Sequence, residues 1–505
     1  MRGTTRVMNT TKTNQITTIL HYFGDAGIII GVTMLLPIIV ALIYNENNLI
    51  TPFLTVGIIT ILVSTAIKLI FKNKTKMTLR LSMFFVMFIW LYLALMGSLP
   101  YIITGQLSIT NAYFEAMSGF TTTGFTMFTN FNHIPYTINF WRALTQWLGG
   151  LGLIFMVVTF MRTMGKDTVA LYHAEGREER IFPSIKHTSK KILTIYLGFT
   201  LAGIILFILV GMPIFDSIFY TFTAISSGGF AMASNSLLHY NSFLIELVAM
   251  FLMIVAATNF NLIYSVLNGN WKEYFRDSET KVFLTITISA VFFVGLILTM
   301  HHAYGASIFE NYRFALFQVV SAITTTGLQT SFSPDFNTHY YTVGTLILII
   351  VMLVGGGTCS TGGGIKWQRI NILAHSIEDE IINLLQPSNA VVVSKYHHFK
   401  DIKITDKAVK YTLTFISIYL LMFMISVLII SVFYNNLPAV LFEVASAMAN
   451  VGLGDAIVGA SSPLIIKIVF IVDFWLGRLE IWPILIVLYH IAKKVKKSSV
   501  KKIKN

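Results

Sequence analysis

Charged residues are scarce in this chain of 505 residues. Asp, Glu, Lys and Arg together make up 12% of it, whereas hydrophobic residues make up 55%. A soluble globular domain usually carries about 25% charged residues. Apolar runs of about 20 residues, long enough to cross a hydrocarbon core of about 30 Å, recur along the whole length. The scarcity of charge therefore excludes a soluble protein and predicts one that crosses the membrane several times.

Cysteine pairs and the usual enzyme motifs are also missing. Cys359 is the single cysteine, so no intramolecular disulfide can form, and the 12 histidines show no HExxH or similar spacing. The glycine-rich stretch 355–366 lacks the GK[ST] ending of a phosphate-binding loop. The first apolar run begins near Ile16 and is too long for a cleavable signal peptide. We therefore expect neither an enzyme nor an ATP-driven pump, and no organic cofactor.

The formal net charge of +13 is distributed between the apolar runs rather than over one surface. Basic residues gather at Lys72–Arg80, at Lys186–Lys191 and in the tail Lys493–Lys504. Such clusters indicate cytoplasmic loops that can also contact anionic headgroups, and they argue against a nucleic-acid partner. With both termini placed in the cytoplasm, the charge asymmetry agrees with ten spanning helices, predicted near 17–44, 52–71, 80–104, 136–162, 190–212, 242–267, 280–303, 340–370, 408–434 and 463–492.

Four short polar phrases recur at intervals of roughly 100 residues, each after an apolar segment too short to span the membrane. They are SGFTTTGF (118–125), TAISSGGF (223–230), SAITTTGL (321–328) and SAMANVGL (446–453), and the seventh residue of each phrase is glycine. This pattern predicts a fourfold internal repeat of helix, half-helix with loop, and helix. We place an N-terminal segment with two extra helices at 1–78 and the repeats at 79–185, 186–277, 278–405 and 406–505, the last with a basic tail.

A re-entrant loop at membrane depth must be buried in protein or line water, because lipid cannot satisfy its free amides and carbonyls. Four such loops around one axis could form a ring of carbonyls that replaces the hydration shell of a monovalent cation. Ordinary tight turns are the alternative, which four phrases in register make less attractive. The candidate filter residues are Thr121, Thr122, Thr123, Gly124, Ser226, Ser227, Gly228, Gly229, Thr324, Thr325, Thr326, Gly327, Ala449, Asn450, Val451 and Gly452.

The sequence resembles the Trk/Ktr/HKT superfamily of potassium transporters, and within it the TrkH/TrkG-type branch. The resemblance covers nearly the whole chain and includes FWRALTQWLGGLGLI (140–154), AEGREERIFPSIKHT (174–188), TNFNLIY (258–264), VGGGTCSTGGGIKWQR (354–369) and GRLEIWP (477–483). It implies an all-α membrane fold in which four repeats surround a central pore. It also implies K⁺ as the transported ion, since potassium-selective members carry glycine in all four filter loops. The phrase ANVGLG departs most from a threonine-rich filter and leaves the discrimination against Na⁺ open.

Six glycines in ten residues cannot make a stable helix, so the second helix of the third repeat should be broken at 355–366. The resemblance makes this segment an intramembrane gating loop, whereas a close-packed helix contact through small residues is the alternative. The candidate gating residues are Gly355, Gly356, Gly357, Gly362, Gly363, Gly364, Lys366 and Arg478. We expect Lys366 and Arg369 to suit the cytoplasmic side of the break.

Ionisable residues inside apolar runs must face protein or water. Arg478 and Glu480 both lie inside such a run, and Arg478 either repels ions or holds the gating loop, as the resemblance implies, or belongs to a structural Arg–Glu pair between repeats. Asp216, Glu115 and Glu443 could draw cations to the filter, but bracing of the half-helices is the preferred interpretation. Further expectations are that Asp473 and Lys467 pair with other helices, and that His397 and His398 are solvated.

Mechanism and partners stay partly open at this stage. A gated channel and a symporter coupled to H⁺ or Na⁺ both fit, as does a weakly selective K⁺/Na⁺ channel. The resemblance implies a homodimer, a TrkA-type cytosolic nucleotide-binding regulatory subunit and the inner (plasma) membrane of a bacterium or archaeon. The basic segments 177–191 and 395–410 could dock that subunit or contact membrane lipid.

Overall fold

The computed structural model describes residues 2–72, 79–152, 185–330, 336–385 and 395–503. Its first three helices precede the repeats: α1 (Arg2–Thr33) and α2 (Pro37–Ile43) form one span, and α3 (Asn47–Ile70) returns beside it. The two spans approach closely because Gly24, Gly27 and Gly31 lie along one face of α1, where a side chain at Gly24 or Gly31 would meet the backbone of α3. Small residues let helices pack through dispersion contacts in lipid, where no hydrophobic effect drives association.

Four repeats follow, and each places a short pore helix after a long span. The first contains α4 (Leu79–Ile103), α5 (Ile109–Phe120) and α6 (Tyr136–Leu151). The second contains α7 (Ile185–Leu209), α8 (Ile214–Ile225), α9 (Phe243–Ala257) and α10 (Phe260–Leu267), and the short α11 (Lys272–Arg276) leads out of it.

The third repeat contains α12 (Ser278–Met300), α13 (Ile308–Ile323), α14 (Phe336–Val354) and α15 (Trp367–Leu385). The fourth contains α16 (Asp406–Ser431), α17 (Leu437–Met448), α18 (Leu464–Arg478) and α19 (Trp482–Ile503). The first helices of the repeats begin beside the boundaries predicted from the sequence.

A two-stranded antiparallel hairpin joins the third repeat to the fourth. Strands β1 (Lys395–His398) and β2 (Lys400–Lys403) pair with Tyr396 opposite Ile402. The all-α prediction missed this hairpin, because its eight strand residues contain too few apolar positions to show a period.

The long first helices face the surrounding lipid, and the pore helices are enclosed by them. Large apolar side chains such as Leu62, Leu201, Phe292 and Leu421 are exposed on α3, α7, α12 and α16. In contrast, every residue from Phe114 to Phe120 on α5 is buried. The loops that follow the pore helices are therefore enclosed by protein, which irregular backbone at membrane depth requires.

Within the described residues, six of the ten predicted spans are long and apolar enough to cross a membrane, and the first of them is the span formed by α1 and α2. The second helices of the repeats were wrongly predicted as continuous at 242–267 and 463–492. The helices α9 and α10 meet at a bend of 111°, and α18 and α19 are separated at 479–481. At the bend, the side chain of Asn259 accepts from the amide of Asn261 and so caps the start of α10. The helix predicted at 136–162 is described only to Leu151, and the rest of it lies outside the described residues.

Candidate functional site

The four pore helices end in one repeated backbone geometry. The second residue after each helix has a left-handed conformation, with φ of 55° at Thr122, 53° at Ser227, 53° at Thr325 and 55° at Asn450. The amide of the next residue then donates back to the last turn, as from Thr123 to the carbonyl of Ser118 at 2.9 Å. This is the Schellman ending of a helix, here built without glycine at the left-handed position. The same bonds join Gly228 to Thr223, Thr326 to Ser321 and Val451 to Ser446.

The four filter glycines touch one another's loops in a closed ring. A β-carbon on Gly124 would collide with the carbonyl oxygen of Gly228, and one on Gly229 with that of Thr326. The third and fourth steps have the same form, from Gly327 to Val451 and from Gly452 back to Thr123. All four glycines also have positive φ, between 72° and 96°. Glycine is required at these positions twice over, by conformation and by the close approach of the next loop.

The filter hydroxyls are largely engaged within their own loops. Thr121 Oγ1 donates to the carbonyl of Met117 and lies 2.8 Å from Thr123 Oγ1. In the third loop Thr324 Oγ1 donates to the carbonyl of Val320 and lies 2.9 Å from Thr326 Oγ1. These bonds hold the loop conformation and use the hydroxyls within each loop.

Buried polar groups behind the filter hold the segment that leaves it. Glu115 accepts from the amide of Met127 at 2.7 Å and from Arg142 at 2.8 Å, and neither charged side chain is exposed. Glu443 takes the matching position in the fourth repeat and accepts from the amide of Asp455 at 2.6 Å. Both carboxylates therefore hold the segments that follow the filter loops, whereas the sequence favoured bracing of the half-helices themselves.

Three further ionisable residues named from the sequence also bond to side chains of other segments: Asp216, Asp473 and Lys467. Asp216 lies within the first turn of α8 and accepts from the hydroxyl of Tyr240. Asp473 accepts from Ser426 on α16, and Lys467 donates to Asn111 on α5. The prediction that these two groups pair with other helices is confirmed.

The glycine-rich segment 355–366 forms a closed loop between α14 and α15. The amide of Gly356 donates to the carbonyl of Gly363 at 3.0 Å, and that of Ile365 donates to Leu353 at 2.9 Å. The break in this helix is therefore confirmed. Positive φ at Gly355 and Gly364, of 73° and 78°, allows the chain to reverse twice within the segment.

This loop lies directly against the filter. The amide of Gly363 donates to Thr325 Oγ1 at 2.8 Å, and a β-carbon on Gly363 would collide with the carbonyl oxygen of Ala449. Gly362 lies beside Thr325, and Gly357 donates to the carbonyl of Ala257 at 2.8 Å. The loop is thus held by the second, third and fourth repeats at once.

Lys366 is part of the loop. Its side chain is buried, and its ammonium group turns back to donate to the carbonyl of Gly362. A left-handed backbone at Lys366, with φ of 85°, reverses the chain there, and its place on the cytoplasmic side stays a prediction. The neighbouring Trp367 donates from its indole to the carbonyl of Gly355 and closes the same loop.

Arg478 connects the gating loop to the filter. Its guanidinium donates to the carbonyl of Thr361 in the loop at 3.0 Å, to Thr122 Oγ1 in the first filter loop at 3.3 Å, and to the carbonyl of Gly149. Glu480 instead accepts from Arg369 on α15. The Arg–Glu pair that joins the third and fourth repeats is thus that of Arg369 and Glu480.

The residues of the site and the course of the chain match one family of known proteins. A family model described as TrkH, cation transport protein, matches residues 50–498. The chain belongs to the TrkH family of cation transport proteins. Among its relatives is an uncharacterized cation transporter of Methanocaldococcus jannaschii, 31% identical over 470 residues that cover 93% of this chain and 94% of the relative. The Trk system potassium uptake protein TrkH of Salmonella typhimurium is 30% identical over 486 residues, which cover 93% of this chain and 97% of that protein.

A solved structure within the TrkH family has the same fold. The crystal structure of the potassium transporter TrkH from Vibrio parahaemolyticus matches with a TM-score of 0.83 at 30% sequence identity, covering 94% of this chain and 98% of that one. The chain is thus a multi-pass membrane protein in which four pseudo-symmetric repeats follow two extra spans. The family resemblance stated from the sequence is confirmed.

Two polar side chains of α6 contribute to this TrkH-family site without having been assigned a role from the sequence. Arg142 pairs with Glu115, and Gln146 donates to the carbonyl of Gly228 at 2.5 Å while accepting from the amide of Phe230 at 3.1 Å. Both lie in the quoted stretch FWRALTQW, four residues apart on one helical face. Polar residues at that spacing inside an apolar run were the available signal.

The histidines of the hairpin also differ from their predicted state. His398 is buried, and its Nδ1 lies 2.5 Å from Asp277 Oδ2, so it is not solvated. His397 is partly exposed and bridges Glu273 and Asp401 at 2.9 Å each. Among the described residues no group of three or more His, Cys, Asp and Glu could hold a metal ion.

Proposed function

We propose that this protein is the potassium-translocating subunit of a Trk-type uptake system in the inner (plasma) membrane of a bacterium or archaeon. The observation that carries the proposal is the closed ring in which each filter glycine adjoins the carbonyl of the next repeat. The named potassium uptake function of the Salmonella relative supports the choice of ion.

Selectivity would arise from backbone carbonyls that replace the water around K⁺. The residues at the close steps of the ring, Thr123, Gly228, Thr326 and Val451, supply the four oxygens nearest to a neighbouring loop. Gln146 donates to the carbonyl of Gly228, which weakens that oxygen as an ion ligand relative to the other three. We therefore infer an uneven ring, which leaves room for some permeation by Na⁺.

Gating would follow from movement of the segment 355–366. In the described conformation the loop is bonded to Thr325 and lies against Ala449, directly beside the first residues of two filter loops. Arg478 adds a positive charge at the same level and bonds to both loop and filter. Displacement of the loop would therefore release the filter and reorient a charge that repels cations.

Symport coupled to H⁺ is the second candidate, and one buried carboxylate favours it. Asp473 has no exposed surface, accepts from Ser426 at 2.7 Å, and has no hydrogen-bond partner at Oδ2 among the described residues. A carboxylate inside a span is a functional candidate by default. Reversal potentials of the purified protein in liposomes separate the two mechanisms. Nernstian behaviour for K⁺, unchanged by pH and Na⁺, would remove symport.

Regulation is proposed to come from a TrkA-type cytosolic nucleotide-binding subunit acting on a homodimer. The hairpin lies beside α12, since the amide of His397 donates to Ser278 Oγ at 3.1 Å, and Glu279 accepts from Thr358 in the gating loop. A subunit docked on the hairpin would thus act on the loop through the first turn of one helix.

The function is tested by rescue of a potassium-uptake-deficient bacterium at low external K⁺. The wild-type chain is expressed with its partner subunit beside Gly124→Ser and Gly452→Ser, and membrane expression of each is confirmed. We expect growth with the wild type, and weaker growth or a loss of K⁺ preference with both variants. Failure of the expressed wild type to support growth would overturn the proposal.

A further inference from the structure

An open cavity of about 580 Å³ lies at the lysine-bearing end of α12, outside the filter and the gating loop. Its walls come from the first turns of α12, from α15 and from the β1–β2 hairpin. The hairpin is attached to both helices, since His397 bonds to Ser278 and Tyr396 accepts from Gln368 at 3.1 Å. The cavity is therefore held by three elements rather than formed by one loose loop.

Basic and polar groups line one part of this cavity. Lys281 and Lys395 are exposed and line it, and neither has a carboxylate within 4.0 Å in the part of the chain that the structure describes. Asp401 is the acidic lining residue, and His397 partly compensates its charge at 2.9 Å. Two free ammonium groups thus remain available to an anion.

A buried amide provides a second, independent indication of a ligand. Asn371 is 6% exposed and lines the cavity, and its Nδ2 has no hydrogen-bond acceptor within the described ranges. A buried donor without a partner costs about 1–3 kcal/mol, so an acceptor from a bound molecule would stabilise this arrangement. The amide lies on α15, opposite the lysine of α12.

Apolar side chains line the remainder, where the cavity reaches the membrane span. Val282 and Ile286 of α12 and Ile370 of α15 are half-buried members of its wall. The helix α12 is itself a candidate span from Ser278 onwards, so these residues lie where acyl chains begin. A fully hydrated anion would leave this apolar wall without a partner. An amphiphile would contact the basic part of the cavity with its headgroup and the apolar part with its chains.

We propose that the cavity binds the phosphate headgroup of an anionic phospholipid, with Lys281 and Lys395 contacting the phosphate and Asn371 donating to an oxygen. Phosphate is the chemistry recognised, and the apolar wall selects a lipid over a free phosphate. Because the hairpin forms one wall, a bound lipid would fasten it to α12 and α15. This site does not depend on which ion the protein transports.

Native mass spectrometry of the full-length purified protein tests the site with phosphatidylglycerol and phosphatidylcholine of matched chain length. We expect tighter binding of phosphatidylglycerol, weakened about 25-fold in K281Q/K395Q because each of the two lysines near an anionic surface contributes about fivefold. The matched control is K407Q/K410Q, which removes the same charge from exposed positions at the start of α16, outside the cavity. K281R/K395R should retain the binding of the wild type.

Two results would overturn the assignment. Equal losses in K281Q/K395Q and in the control pair, or equal binding of the two lipids by the wild type, would reduce it to general surface charge. A soluble arm with glycerol phosphate separates the sources of phosphate. Binding of glycerol phosphate as tight as that of phosphatidylglycerol would reject the lipid and reassign the cavity to a free phosphate compound.

Discussion

The backbone amide of Gly363 in the gating loop donates a hydrogen bond of 2.8 Å to the hydroxyl of Thr325 in the third filter loop. The segment 355–366 and the third of the four glycine-containing loops are therefore in direct contact. Under the proposed function, the segment cannot leave its position as a gate without breaking this bond to the filter loop.

Removal of that hydroxyl should favour the displaced loop. We expect Thr325→Val to raise K⁺ flux without the partner subunit by about 2- to 10-fold, since one hydrogen bond contributes about 0.5–1.5 kcal/mol. Valine keeps the shape and the branching at Cβ. Flux into proteoliposomes measures the effect, and Thr325→Ser, which keeps the hydroxyl, is the control. Unchanged flux in Thr325→Val would show that this bond does not restrain the gate.

The ring of glycines predicts a strict difference between two glycines of similar conformation. Gly229 and Gly211 have φ of 72° and 91°, but a β-carbon on Gly229 collides with the carbonyl of Thr326, while one on Gly211 has no atom within 4 Å. We expect Gly229→Ala to lower K⁺ flux about 5- to 150-fold, because overpacking costs about 1–3 kcal/mol and falls here on the proposed filter. Gly211→Ala should transport like the wild type. Equal effects of the two substitutions would contradict a steric role for the ring.

The buried pair of Glu115 and Arg142 should dominate local stability. Removing one partner leaves an uncompensated buried charge, which costs about 3–5 kcal/mol. We expect Arg142→Met to lower the free energy of unfolding by that amount in mixed detergent micelles. Glu310→Gln is the control, because this half-exposed partner of Arg313 contributes about 0–1 kcal/mol. Similar losses in the two variants would argue against the bracing role.

Arg478 should restrain cation flow in the described conformation. Its guanidinium holds Thr361 of the loop and Thr122 of the filter, and it carries the charge that a permeating ion meets there. We expect Arg478→Gln to increase K⁺ flux several-fold in liposomes. Arg478→Lys keeps the charge but loses the planar fork, so it distinguishes repulsion from tethering. A folded Arg478→Gln protein with the flux of the wild type would exclude both roles.

The hairpin should detach more readily as pH rises through the raised pKa of His397. The hydrogen bond to Asp401, followed by that to Glu273, raises the pKa of His397 above its ordinary 6.5. A raised pKa in the folded state means that the stabilisation is complete below about pH 6.5 and is lost as pH rises through the folded value. Hydrogen exchange of the hairpin amides, corrected for intrinsic rates, should show less protection at high pH. His397→Gln should flatten this dependence, and an equally steep profile in that variant would locate the titration elsewhere.

Much of the TrkH-family architecture could be predicted because its repeat unit recurs four times in the sequence. Four polar phrases in register disclose four filter loops, and the six glycines of 355–366 exclude a helix there. The breaks after Ala257 and Arg478 could not be predicted in the same way. Both fall in segments whose apolar composition suits an unbroken span, and they depend on bonds made by residues such as Asn259 and by neighbouring elements.

Partners across long sequence separations were the hardest to predict. Glu480 is two residues from Arg478, but it binds Arg369, which is 111 positions away. His398 lies in a polar, charged stretch and is nevertheless buried against Asp277. In both cases residue type indicates a charge that needs a partner, whereas the choice of partner depends on which helices pack together.

Composition and the four recurring phrases are enough to predict a membrane protein in which four loops are buried at membrane depth and each loop needs a glycine. These are consequences of composition and local backbone freedom, which neighbouring residues carry. Three relations could not be predicted: each glycine adjoins the carbonyl of the next loop, Gly363 bonds to Thr325, and Arg142 pairs with Glu115. Those relations join residues from different helices, and close packing around a shared axis sets them.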